Sequence, residues 1–394
     1  MYTLFFSMRN TTPFLPTFGS LLFGRPPKSE QEKALDKLKS AHSLGDLQAV
    51  CADSIPNNFL APAAKGAHSR RRRYSLPVVF WAFLAQVLSP NTSCREIVRR
   101  VKAWHACLQS DFDASEQTVA FCKARSKLPE KTLADISKHI ARRCERNIPQ
   151  DALWKGRHVK IIDGTTISMP DTPANQEQYP QHSSQKPGCG FPLMRLVGLF
   201  SLASGALLHF AKSSIHVHET LLFRQLWGFF EKDDILLGDR GFCSFYALSE
   251  LKKCGIDSVI RLNQTRKTDM TKGKKLGPND CLQVWKKPAK SPQGISEEEF
   301  AQIPETLTVR VVEIQFATNG FRSTNCLIVT TLLDPAAYPV AALGELYFQR
   351  WGIELHFREL KTLLGMDILR CRSPHMITRE LLMHTIAYNV IRYL

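Results

Sequence analysis

From Leu76 to Leu88 the chain runs almost without a polar side chain, and apolar residues recur at helical spacing on either side of it. Glu30–Ala41, Leu76–Leu88, Cys94–Leu108, Ser115–Lys127 and Glu130–Arg146 read as helices. Ser93 and Ser115 serve as N-caps, and Pro90 and Pro129 as breaks. Pro56–Arg73 reads as a loop with a basic end. No strand alternation appears between residues 30 and 150. At His158 the texture changes. His158–Asp163 is a short apolar strand ending in an acid. Leu193–Leu202 and Leu207–Ile215 follow as strands about a turn at Gly205. His218–Phe230 reads as a helix, Ile235–Asp239 as a second strand ending in an acid, Ser244–Cys254 as a helix and Asp257–Leu262 as a fifth strand.

From Asn263 to about Arg322 the pattern loosens, and Lys and Arg are frequent from Arg266 to Lys290. Leu307–Phe316 and Asn325–Leu332 are strand-like, so this region reads as an insertion with β structure of its own. Pro335 and Pro339 precede a continuous helical pattern, Val340–Leu364, and Thr378–Leu394 forms a last helix. The chain stops inside that pattern, which suggests a domain continuing beyond it.

Composition adds a partner. The 394 residues carry a net charge of +16, a balance that points to an acidic macromolecule, with nucleic acid ahead of an anionic membrane surface. The helical block is especially basic, with Arg95, Arg99, Arg100, Lys102, Lys123, Arg125, Lys127, Arg142, Arg143 and Arg146 beside the Arg70–Arg73 run. A small basic helical domain suits DNA binding. No apolar run reaches the ~18 residues of a membrane span, and Leu76–Leu88 suits a buried helix. Met1–Gly24 is interrupted by Arg9, Pro13 and Pro16 and makes a poor signal peptide. The eleven cysteines include no C-x-x-C pair, which favours reduced intracellular thiols over a disulfide framework or a zinc site.

The chemistry concentrates in three acids. Asp163 and Asp239 end strands, and Glu354 lies on the late helix. At roughly 100° per residue, Tyr347, Arg350, Glu354 and Lys361 fall within about 60° of one another on that helix. The order strand–strand–strand–helix–strand–helix–strand, then a carboxylate helix, fits a ribonuclease-H-like α/β fold in which strands one to three are antiparallel and the rest parallel. Three converging carboxylates repel one another unless a cation sits between them. Hard oxygen ligands suit Mg²⁺, and two such ions can activate a nucleophile and stabilise a leaving oxygen in phosphodiester cleavage. Arg350 and Lys361 suit phosphate oxygens, Tyr347 can donate to phosphate, and Trp351 can stack on an unpaired base. His216, His218 and Glu219 look like a metal cluster but lack partners at suitable spacing. His218 reads instead as a helix start, with Glu219 in the first turn.

Asp163-Gly-Thr-Thr with Pro170-Asp171-Thr-Pro-Ala-Asn175, then Asp239-Arg240-Gly-Phe242, then Tyr347-x2-Arg350-x3-Glu354-x6-Lys361, resemble the DDE transposases of the insertion sequence 4-like family. Ala124-Arg125 and Leu128-Pro129 resemble their helical N-terminal region, and the likeness spans roughly residues 70–392. It implies cut-and-paste transposition. Asp163, Asp239 and Glu354 would hold two Mg²⁺ ions, with Mn²⁺ as a substitute. Tyr347, Arg350 and Lys361 would grip DNA near the cut, with Trp351 and Arg240 beside them. Strand nicking, hairpin ends and joining to target DNA would follow. The partners would be terminal inverted repeats, target DNA and a second copy of the chain, in a bacterial cytoplasm at the nucleoid. For Asp171 and Asn175 a turn-forming role is an equal reading.

The implied organisation is an arm at 1–28, an all-α DNA-binding domain at 29–150, the first part of the catalytic core at 151–262, the β-rich insertion at 263–333, and the catalytic and C-terminal helices at 334–394. Two alternatives remain: a catalytically silent DNA-binding derivative, and a stand-alone nuclease on the same fold.

Overall fold

The computed structural model of the chain describes residues 3–6, 29–62, 73–107, 117–266, 268–318 and 324–394. Most of the N-terminal arm, Arg70–Arg72, Ser115 and Lys267 lie outside the described residues. The helices of the N-terminal block are α1 (Glu30–Lys39), α2 (Leu44–Cys51), α3 (Leu76–Leu88), α4 (Cys94–Cys107), α5 (Val119–Arg125) and α6 (Glu130–Arg146). Helix α3 is buried along nearly its whole length, as its apolar run requires. Helix α2 was not expected from the pattern. Eight residues offer little periodicity, but Ser43 and Asp46 form a reciprocal capping box that starts it.

The rest of the chain is built on a ten-stranded sheet. Its strands are β1 (Thr3–Phe6), β2 (Val159–Ser168), β3 (Leu193–Ser201), β4 (Leu207–Ser214), β5 (Ile235–Gly238), β6 (Asp257–Arg261), β7 (Lys274–Gly277), β8 (Asp280–Lys286), β9 (Thr306–Thr318) and β10 (Thr324–Thr330). The order is β4-β3-β2-β5-β6-β10-β9-β8-β7, with β1 parallel to β9. Strands β2, β3 and β4 are antiparallel, and β5 and β6 continue parallel to β2, as the sequence pattern predicts. Strands β7–β10 do not form a separate sheet. Strand β10 pairs antiparallel with β6, so the insertion extends the core sheet sideways. A buried ion pair anchors this extension. Arg310 donates to Asp280 from Nε at 2.8 Å and Nη2 at 2.7 Å, and to the Tyr338 carbonyl from Nη1 at 2.7 Å.

Short helices α7 (Pro173–Gln178), α8 (Glu219–Arg224), α9 (Phe245–Lys253) and α10 (Glu297–Ala301) fill the connections. The region expected as one helix over His218–Phe230 is shorter: α8 ends at Arg224 and a 3₁₀ turn covers Trp227–Phe229. The last helices are α11 (Val340–Gln349), α12 (Gly352–Thr362) and α13 (Pro374–Tyr393).

The sheet is apolar on both faces. Ile162 packs with Leu222, Phe223 and Leu248 of α8 and α9, whereas Ile161 packs with α11–α13 and the N-terminal helices. The N-terminal block therefore shares a core with the sheet rather than owning one. Helix α13 joins them. Arg379 reaches back to the Leu128 carbonyl at 2.7 Å and Glu130 at 2.8 Å, while Asn389 exchanges two 2.9 Å hydrogen bonds with the Leu207 backbone. The Leu128-Pro129 motif is thus part of an interlock between the two halves of the chain.

Candidate active site

Parallel pairing between β2 and β5 ends at Ile162 opposite Gly238. Asp163 and Asp239 are the next residue on each strand, so register alone sets the two acids side by side, at a strand spacing of roughly 4.8 Å. The two positions differ otherwise. Asp239 ends its strand and enters a 3₁₀ turn at Arg240–Phe242. Asp163 does not end β2, because Gly164–Ser168 continue to pair with β3 as far as Ser168 opposite Leu193. The antiparallel partner outlasts the parallel one, and Asp163 projects where the second partner has left.

The face bearing Asp163 is the one covered by α11–α13, since it shares the parity of Ile161. Directly across from Asp163 on β3 is Gly198. A Cβ there would come within 2.7 Å of Phe200 and 3.1 Å of Phe357. The missing side chain lets α12 approach the sheet next to Asp163, and Arg392 of α13 holds α12 there through Glu359 at 2.5 Å and His356 at 2.6 Å.

The continuous helix expected from Val340 to Leu364 is two helices. Between α11 and α12 the hydrogen bonds become i to i−3: Arg350 to Tyr347 at 3.1 Å, Trp351 to Phe348 at 3.2 Å, Ile353 to Arg350 at 3.0 Å and Glu354 to Trp351 at 3.2 Å. This tightened turn falls where Gly352 weakens helix propensity. It separates residues that an ideal helix would align. Tyr347 and Arg350 are buried and Glu354 is exposed. The Arg350 guanidinium stands 3.7 Å from Glu354 and lies over the rings of Tyr347 and Trp351 at 5.8 and 5.7 Å. Its Nε is buried without a partner among the described residues.

Burial, helped by the charges of Asp239 and Glu219, pushes the Asp163 carboxyl up to about 6. The Gly164 amide, donating to Oδ1 at 2.8 Å, and the Arg350 guanidinium pull it down. Burial also raises the Tyr347 phenol, against the pull of Arg350. Lys361 is half-buried, its ammonium held below the usual range by burial and supported by Asp367.

Asp163, Asp239 and Arg350 are therefore within electrostatic reach of one another, and Glu354 joins them through Arg350. Among the described residues, no three His, Cys, Asp or Glu side chains are close enough to hold a metal ion as they stand. Tyr347 is buried, within electrostatic reach of Arg350, Cys326, Asp239 and Arg261, not presented on an open face. Trp351 packs edge-on against Phe348 at 5.1 Å and Tyr347 at 6.3 Å. Arg240 is exposed beside Asp239. Asn175 is fully buried and donates to the carbonyls of Pro170 and Cys371, while Asp171 accepts from Gln176, so this pair builds a loop.

One acid of the site is not legible from strand or helix patterning. Glu219, in the first turn of α8 as expected, lies over Gly164, where a Cβ would come within 2.7 Å of its Oε1. It stands 3.6 Å from Arg195, whose Nη1 donates to the Val217 carbonyl at 2.6 Å. The sequence set Glu219 in a first helical turn behind His218, the N-cap accepting from Thr220, but gave no sign that it would lie beside Asp163.

A family model described as the transposase DDE domain matches residues 154–390. The transposase InsG for insertion sequence element IS4, from Escherichia coli strain K12, is 24% identical over 326 residues, spanning 82% of this chain and 70% of that protein. The putative transposase InsZ of the same bacterium is 28% identical over 213 residues, 52% of this chain and 67% of that one. A cryo-EM structure of the piggyBac transposase synaptic complex with hairpin DNA aligns over 93% of this chain and 75% of that one. Its TM-score is 0.45 and its identity 9%, a likeness too slight to build on.

Proposed function

The chain belongs to the transposase DDE domain family, and on that premise we propose that it is a DNA transposase that cleaves strands at the ends of a mobile element and transfers them into target DNA. The observation that carries the proposal is the placement of Asp163 and Asp239 side by side after the last parallel pair of β2 and β5, with Arg350 against them. The strand order β4-β3-β2-β5-β6, three antiparallel and then parallel, supports reading that half of the sheet as a ribonuclease-H-like core. The net charge of +16 supports a DNA partner. Among the described residues no helix is long and apolar enough to cross a membrane.

The donor set suits a hard divalent cation. Asp163 and Asp239 are carboxylates in neighbouring positions, and the Asp163 carboxyl is raised chiefly by burial, with the Asp239 and Glu219 charges adding to it. Asp163, Asp239 and Glu354 would hold Mg²⁺, which when bound supplies Lewis acidity to a phosphate and an acidified water. The chain's own part is positioning. Arg350, whose Nε has no partner among the described residues and which Glu354 neutralises only in part, would donate to a phosphate oxygen beside the aspartates. Tyr347 acts through Arg350, since its buried ring forms the floor on which the guanidinium rests. Lys361 and Arg240 extend the cationic track along the strand being cut, and Trp351 offers a ring edge near it. Hairpin ends and a dimer holding both ends together complete the cut-and-paste scheme.

Purified chain with Mg²⁺ and DNA carrying the flanking terminal repeats tests this. Nicking at the ends that disappears in Asp163→Ala, while end binding persists, is the expected result. End binding without nicking by the unmutated chain, in Mg²⁺ or Mn²⁺, would identify a silent DNA-binding derivative, and cutting of any duplex would identify a plain nuclease.

A further inference from the structure

Away from the acids, a cavity of about 380 Å³ opens between the N-terminal helices and the segment leading into α13. Its walls include Gln86, Cys94, Arg125, Arg370, Cys371 and His384. Cys94 is the first residue of α4, where unpaired amides and the helix dipole favour a negative charge, and Ser93 caps the same turn by accepting from Glu96 at 3.1 Å. The Gln86 amide donates to Cys94 Sγ at 3.6 Å, and Gln86 is held in that pose by Arg125, whose Nη1 donates to Oε1 at 2.7 Å. Arg125 is itself fixed over the rings of Phe83 at 4.8 Å and Phe121 at 5.5 Å. Cys122, one turn before Arg125 on α5, is close enough to Cys94 for each to shift the other's ionisation. Two buried polar atoms of lining residues, Arg125 Nε and His384 Nδ1, have no partner among the described residues. The Ala124-Arg125 motif thus serves this cluster.

We propose that Cys94 is a site of oxidative modification, in which a small hydroperoxide entering the cavity oxidises Cys94 and Cys122 resolves the product to a Cys94–Cys122 disulfide. In the first step the Cys94 thiolate attacks the peroxide, forming an S–O bond and breaking O–O. The sulfur is oxidised to a sulfenic acid, and the departing oxygen is reduced and leaves as water or an alcohol after taking a proton. In the second, the Cys122 sulfur attacks the sulfenic sulfur. The S–S bond forms, S–O breaks, and the hydroxyl leaves as water with the Cys122 proton.

The electrostatics agree with this division of labour. The Cys122 hydrogen bond, followed by the Arg125 charge and the Gln86 amide, brings the Cys94 thiol down to about 5 against burial. Cys122 is driven up, chiefly by that same hydrogen bond, and stays a thiol. Cys371, behind them beside Glu380, is held protonated by burial.

The test uses the reduced full-length chain and a few equivalents of hydrogen peroxide, followed by non-reducing peptide mapping. A Cys94–Cys122 disulfide is expected before the exposed Cys107, Cys189 and Cys254 are touched. In Cys122→Ser, a dimedone-reactive sulfenic acid is expected to persist at Cys94. Without any variant, iodoacetamide should alkylate Cys94 at a nearly constant rate between about pH 6 and 8, whereas a small-molecule thiol control speeds up about tenfold per unit. Peroxide that oxidises the exposed cysteines and spares Cys94 would overturn the proposal. So would a Cys94 alkylation rate that climbs with pH like the small-molecule control, or a Cys94 disulfide to any cysteine but Cys122.

Discussion

The Arg350 guanidinium and the Glu354 carboxylate face each other at 3.7 Å across one turn, one side chain 9% exposed and the other 61%. The buried cation is thus linked to the two aspartates, while the acid at its other end is open to solvent. Such a pair contributes little to stability, because its carboxylate is well hydrated. Glu354→Gln is therefore expected to leave the unfolding midpoint nearly unchanged while lowering end cleavage by about 10²-fold or more. Thermal melts and a nicking assay on the same preparation check both halves, and a large drop in the melt would assign Glu354 to the fold instead.

Asp163 carries a pH signature. Its folded carboxyl, at about 6, is raised above the unfolded value, so the native state holds the proton more tightly. That contribution is fully present below the unfolded value and is lost as the pH rises through about 6. Asp163→Asn keeps an acceptor for the Gly164 amide and removes the charge. It is expected to be more stable than the parent above pH ~7, by up to about 3 kcal/mol, with the difference vanishing near pH ~4. Urea unfolding across this range measures it. Adding Mg²⁺ at neutral pH should narrow the gap by stabilising the parent alone.

Gly198 tests how closely α12 must approach the sheet. In Gly198→Ala the new methyl meets Phe200, Phe357 and Leu207 at 2.7–3.2 Å. Overpacking of this kind costs about 1–3 kcal/mol. Because Phe357 is on the helix that carries Glu354, cleavage should fall by more than the stability loss explains, measured at a temperature where the variant is fully folded.

Asp280→Ala should be the most damaging of these changes to the fold. It strands Arg310, whose side chain is 0% exposed, without a counter-charge. A loss of about 3–5 kcal/mol is expected by chemical denaturation. Replacing both partners with apolar residues should recover much of it, which a merely local packing defect would not allow.

Local patterning carried far into this fold. The bounds of Leu76–Leu88 and Glu130–Arg146 follow from their periodicity and proline breaks, and the first five core strands from runs of β-branched and apolar residues. It failed where the deciding partner was distant. Asp163 reads as a strand end because polar residues follow it, yet β3 holds Gly164–Ser168 in the sheet. The late helix reads as continuous because its periodicity persists through Gly352, yet its bonds tighten at Arg350. The residues of the insertion reveal their strands but not that β10 would pair with β6.

What the chain alone determined was therefore the chemistry on offer: two strand-borne aspartates, a helix-borne glutamate, and the tyrosine, arginine and lysine spaced around it. Periodicity reports on neighbours within a turn or a strand, and it has no access to which strands lie side by side. The meeting of Asp163 with Asp239 is a matter of parallel register. The burial of Arg350 against them, the exposure of Glu354 and the arrival of Glu219 over Gly164 depend on how helices pack on the two faces of that sheet. Those long-range contacts, which desolvate some charges and leave others wet, were decided only by the tertiary structure.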